Sequence, residues 1–78
     1  MHRYYFHLYN DETSIDEEGT ELSSDAVALE KAADQARHMA AQSVMQGHLV
    51  LHHRIDVVDD EERKVGTVHF ANVVQIQE

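Results

Sequence analysis

The chain has 78 residues, with 6 Lys plus Arg against 15 Asp plus Glu and a formal charge of −9; this is the size of one small domain and the wrong sign for neutralising phosphates, so no nucleic-acid partner is expected. There is no cysteine, which removes disulfides and thiolate zinc sites as staples, and no apolar run of membrane-spanning length, so no membrane partner is expected either. A core this small supplies only about 3 to 5 kcal/mol unaided, which makes self-association one available source of stability, and the lack of a secretory pattern near the N-terminus fits the cytoplasm.

Arg3 to Tyr9 reads Arg-Tyr-Tyr-Phe-His-Leu-Tyr, so that Tyr4, Phe6 and Leu8 alternate with Arg3, Tyr5, His7 and Tyr9 at the period of a β-strand. All 3 tyrosines and one of the 2 phenylalanines sit here, on a strand with one apolar face and one aromatic-polar face. Asn10 to Glu18 is polar and acidic apart from Ile15, and Gly19 allows a tight turn before a short strand at Thr20, Glu21 and Leu22. The run Asp16, Glu17, Glu18 lacks the regular oxygen spacing and bend glycine of a calcium loop, and reads as a solvated turn.

Ser23, Ser24 and Asp25 offer caps for a helix whose composition continues from Asp25 to Gln46, with Gly47 placed to close it in a left-handed conformation. At 100° per residue, Ala26, Leu29, Ala32, Ala33, Ala36, Met39, Ala40, Ser43 and Val44 share one arc, the expected buried face. Past Gly47 the period becomes two. Leu49, Val50 and Leu51 lead into a strand with Ile55 and Val57 on one side and Arg54, Asp56 and Val58 on the other. Asp59 to Lys64 is too charged to bury and turns the chain into a strand from Val65 to Phe70, with Val68 and Phe70 inward; the tail from Ala71 to Glu78 either packs on the domain edge or continues the sheet.

The order strand, strand, helix, strand, strand predicts a single α+β domain over residues 1–78, with one long helix on one face of a small antiparallel sheet. If Tyr4, Phe6 and Leu8 meet the helix, Tyr5, His7 and Tyr9 lie on the uncovered face, joined there by Thr67 and His69. Tyrosine and histidine tolerate partial exposure and suit contacts.

The segments Arg3-Tyr4-Tyr5-Phe6-His7, Asp16-Glu17-Glu18-Gly19-Thr20-Glu21-Leu22, the alanine-rich helix and Phe70-Ala71-Asn72-Val73-Val74-Gln75-Ile76 resemble a family of small stand-alone bacterial proteins classed as a domain of unknown function. The resemblance spans nearly the whole chain and implies no activity. It departs from the family pattern at the hairpin, where similar proteins tend to place a glycine before the basic residue and this chain has Glu62 before Arg63. The architecture also looks like that of modules in toxin–antitoxin systems and of double-stranded RNA-binding domains, a likeness of fold alone. RNA recognition needs basic residues aimed at phosphates, and this helix offers Lys31 and Arg37 beside Glu30 and Asp34.

Seven histidines make the charge sensitive to pH around imidazole's unperturbed value of about 6.5, and full protonation would bring −9 to −2. Solubility or oligomeric state should therefore shift on acidification. His52 and His53 are adjacent and, on a strand, point to opposite faces, which hinders chelation of one ion; His38 has no ligand partner at i+3 or i+4. His7 is expected to hydrogen-bond a carboxylate across the sheet, Glu21 or Asp56. Ser14, Ser23, Ser24 and Ser43 lack a nucleophile-elbow context, and 3 glycines form no phosphate loop. The expectation is a non-enzymatic interaction module without a cofactor or metal. Its contact residues would be Tyr5, His7, Tyr9, Thr67 and His69, and its partner a second copy, as a homodimer through the aromatic face or a strand edge, or another protein. The alternatives are a metal or small-ligand protein centred on His7 and His69, or an antitoxin-like acidic regulator.

Overall fold

The structure is a computed structural model, and it describes residues 1–10, 12–47 and 52–73. Its elements run β1 (His2–Tyr9), β2 (Thr13–Ser14), β3 (Thr20–Leu22), α1 (Asp25–Met45), β4 (Arg54–Asp59), β5 (Lys64–His69) and α2 (Phe70–Val73). All strand pairs are antiparallel in the order β2-β1-β4-β5, with β3 also pairing β1. The fold is α+β, one long helix on one side of an antiparallel sheet.

The alternation in β1 sorts the two faces as its period requires. Tyr4, Phe6 and Leu8 stand opposite Asp59, Val57 and Ile55, and Tyr4, Ile55 and Val57 join Ala28, Ala32, Ala36, Ala40 and Phe70 in the core, with Phe6, Leu8, Leu22, Leu29, Val65 and Val68 packed against it. Ser24 caps α1: in extended conformation, its side chain accepts from the Val27 N–H at 3.2 Å. Gly47, at φ +94°, follows the Gln46 cap at the far end. The helix is joined to the sheet at its first turn, where the buried Tyr4 hydroxyl donates to Asp25 Oδ1 at 2.6 Å. That hydrogen bond, with burial second, pushes the phenol up to about 12.

Several expectations are corrected. The helix buries the ridge Ala28, Ala32, Ala36 and Ala40, whereas Ala26 and Val44 are exposed. The fourth strand begins at Arg54; His52 and His53 precede it, and Leu49 to Leu51 lie outside the described residues. Phe70 is inward, as expected, but it starts the helical turn α2: its N–H donates to the His53 carbonyl at 2.9 Å, one step beyond the Arg54–His69 pair, and the strand ends there. Beyond Val73 the expected tail packing lies outside the described residues. The charged turn also buries one member, Asp59, since that carboxylate organises the hairpin: Oδ1 accepts from the Glu61 and Arg63 N–H groups at 2.9 Å each, and Oδ2 from Arg63 Nε at 3.2 Å. Glu62 then takes φ +63°, the left-handed conformation that glycine adopts without strain.

Candidate functional site

Both helices lie on the side of Tyr4 and Val57. On the opposite face β1 presents Tyr5, His7 and Tyr9, which register against Val58, Asp56 and Arg54 of β4; β5 continues the rows with Lys64, Thr67 and His69. Tyr5, His7, Tyr9 and Thr67 are half-buried by their neighbours and His69 is exposed. All five expected contact residues therefore share one face, on which no described element lies.

Its centre is Asp56, only 7 % exposed. Its Oδ1 accepts from Thr67 Oγ1 at 2.9 Å and faces Arg54 Nε at 3.4 Å, while Lys64 Nζ stands 3.4 Å from Oδ2. A carboxylate surrounded in this way is paired and hydrogen-bonded, which is what its burial demands. Arg54 also lies over the Tyr9 ring, with its guanidinium carbon 4.3 Å from the centroid, a cation–π contact that leaves the Nη groups without a partner among the described residues. Asp56, Arg54 and Val58 complete the face, and sequence reasoning did not place them in the site. Their alternation with Ile55 and Val57 was visible; the register that sets them beside Tyr5, His7 and Tyr9 was not.

At one end of the face, between the β2–β3 loop and the β4–β5 hairpin, is a cavity of about 320 Å³ lined in part by Tyr5, His7, Ile15, Val58, Asp60 and Glu62. Two further carboxylates reach it, Asp16 and Asp59, but both are engaged by backbone N–H groups. Asp16 Oδ1 accepts from Glu18 and Gly19, at 3.1 and 3.0 Å, and Oδ2 from Phe6 at 3.1 Å. Burial works to raise its pKa, yet these three donors, with a smaller contribution from His7, hold the carboxyl below the usual range. The Arg63 N–H does the same for Asp59 against the cost of burial, helped by Glu61 and the Arg63 side chain. The side-chain carboxylates of Asp60 and Glu62 have no hydrogen-bond or ion-pair partner among the described residues, although the Glu62 N–H donates to the Asp59 carbonyl at 3.1 Å.

His7 has a structural bond, but not to Glu21 or Asp56: its Nδ1 accepts from the Asp16 N–H at 3.1 Å, which puts the ring proton on Nε2. The turn at Asp16 fills the stretch of β1 edge between β2 and β3, and it brings this N–H within reach while Glu21 is paired with Arg3 at 3.2 Å. His69 is aligned with Arg54 and Tyr9, His7 with Asp56 and Thr67, so β4 separates the two imidazoles. His52 and His53 meet edge-to-face at 5.2 Å, and His53 rests against Phe70 at 5.6 Å. Among the described residues no three His, Asp or Glu side chains gather in a way that could hold a metal ion, and no described helix is long and apolar enough to cross a membrane.

The model of a domain of unknown function, DUF6894, matches residues 3–71, and the chain belongs to that family. No curated protein and no solved structure matches it.

Proposed function

We propose that this DUF6894 protein is a non-enzymatic, cytoplasmic interaction module that forms a homodimer by burying the open face of its sheet. The observation that carries the reading is the uncovered cluster of Tyr5, Tyr9 and Val58 around the neutralised Asp56. Aromatic side chains with an apolar body and a polar tip are efficient anchors once a second surface excludes water from them. The face is favoured over the strand edge. β5, at the end of the strand order, carries a bulge at its register shift opposite Val57 and Val58, and it starts with Lys64, two features that discourage pairing with another chain.

The same geometry supports a role without catalysis. The carboxylates of Asp16, Asp56 and Asp59 are each engaged by donors, and His7 spends Nδ1 on a backbone N–H, so these four groups are held in structural contacts. The test is the solution mass of the wild-type protein and of a Tyr5→Ser, Tyr9→Ser variant by light scattering, with circular dichroism to verify folding. A wild-type dimer and a folded, monomeric variant are expected. A wild-type monomer throughout the accessible concentration range would overturn the reading, as would an undiminished dimer in the variant.

A further inference from the structure

The two ends of the open face differ in chemistry and are related by its register. Tyr5 and Tyr9 stand two residues to either side of His7 on β1, and Val58 and Arg54 two residues to either side of Asp56, the partner of His7 on β4. One end carries the Tyr9–Arg54 pair, whose guanidinium has Nη groups without a partner among the described residues. The other carries the cavity lined in part by Tyr5 and Val58 and by Asp60 and Glu62, whose carboxylates have no partner among the described residues. At roughly 3.3 Å per residue the ends are about 13 Å apart.

We infer that two copies pack open face to open face about a twofold axis crossing the strands above His7 and Asp56, so that the Tyr9–Arg54 pair of each copy enters the Tyr5-lined cavity of the other and its guanidinium meets Asp60 and Glu62 of the partner subunit. The inference rests on the homodimer reading and specifies its geometry. An axis in that position exchanges the two ends of the face, so each cation lies over the partner's cavity and the contact is made twice. The occupant follows from charge complementarity. The cavity offers ring and aliphatic walls with two carboxylates that have no partner among the described residues; the opposite end offers a planar cation already backed by a ring, the group best suited to bidentate carboxylate contacts in a partly dry site. A rotation that left the ends unexchanged would set the cavities carboxylate to carboxylate, which is costly between chains of charge −9.

Charge reversal tests it. Asp60→Lys with Glu62→Lys alters exposed hairpin positions and takes the net charge from −9 to −5, a change that lowers general repulsion and by itself would tighten any dimer. The docking described here requires the opposite, a dimer at least ~10-fold weaker, because two cations now face each other at both contacts. Arg54→Glu should weaken the dimer similarly; because it places a carboxylate beside Asp56, its folding is checked by circular dichroism, and Arg54→Gln serves as the milder variant. An equimolar mixture of the Arg54→Glu chain and the Asp60→Lys, Glu62→Lys chain should form a heterodimer of near wild-type affinity, since both of its contacts again join opposite charges. A hairpin variant that dimerises as tightly as wild type, or a mixture that restores nothing, overturns the docking. If the tyrosine double variant is monomeric while the hairpin variant is unaffected, the homodimer stands and this geometry falls; if the wild type is monomeric, both fall.

Discussion

Asp16 takes the place of a strand. Between the β2 and β3 pairings, its carboxylate takes the Phe6 N–H at the edge of β1 and its own N–H donates to the His7 ring, while the same carboxylate folds the next turn. Asp16→Asn should cost about 1 to 3 kcal/mol, because a neutral amide offers one acceptor where three N–H groups converge. The carboxyl is harder to protonate when folded, so its contribution is present above the ordinary value of 3.8 and is lost as the pH falls through the lower folded value. Acid denaturation of Asp16→Asn, followed by circular dichroism, should lack that part of the slope. Tyr4 gives the mirror case. With the phenol raised from 10.0 to about 12, its contribution is intact below about 10 and is lost as the pH rises through about 12; Tyr4→Phe should remove that alkaline loss from unfolding curves. Glu62→Gly should stabilise the monomer by about 1 kcal/mol in urea unfolding, since the left-handed backbone at φ +63° costs a glycine nothing, yet by deleting a rim carboxylate it should loosen the dimer. The acidic run around Asp16 and the missing glycine before Arg63 were both visible in the sequence. What each residue does was not, because the Phe6 donor reaches Asp16 only once β1 is placed beside the turn, and the left-handed φ of Glu62 follows from the way Asp59 folds the hairpin.

At the scale of elements, the helix shows what periodicity conveys and where it stops. Ala32, Ala36 and Ala40 fall on the buried ridge, as an arc at 100° per residue implies, but Ala28 completes it in place of Ala26. The arc is wide, and the close approach to the sheet selects its centre: Leu29 packs down at Gly66, where an added Cβ would lie 2.7 Å from Leu29 Cδ2. Ala36 is fully buried on the ridge against the core. Ala36→Leu should cost about 1 to 3 kcal/mol through overpacking, read as a lowered midpoint in urea. Gly19 is constrained by the opposite element, with φ +72° and a virtual Cβ 3.0 Å from the Tyr4 carbonyl oxygen; Gly19→Ala should cost about 1 to 3 kcal/mol. The hairpin was legible from its charge block, whereas the end of β5 was not: a buried Phe70 after an alternating run reads as strand, and the alternation does not show that the backbone turns helical from Phe70 to Val73.

For the whole molecule, the faces separate by chemistry: alanine, valine and isoleucine build the core with Tyr4 and Phe70, while Tyr5, Tyr9, His7 and Arg54 gather around one neutralised carboxylate on the far side. The overall negative charge opposes any pairing of copies, so acidification should strengthen it, as sedimentation at about pH 7.5 and about pH 5.5 would show. The alternation of β1 sufficed to foresee an aromatic face; its cationic end and acidic cavity required the registers of three strands. The most direct measurement is the change of backbone amide NMR shifts on dilution from millimolar to low micromolar protein. Shifts concentrated at Tyr5, His7, Tyr9, Arg54 and Thr67, with the outer helix positions Glu30, Lys31 and Gln35 unmoved, are the predicted result. Shifts confined to the helix or to the outer edge of β5, or a solution mass of one chain at every concentration, would contradict the account.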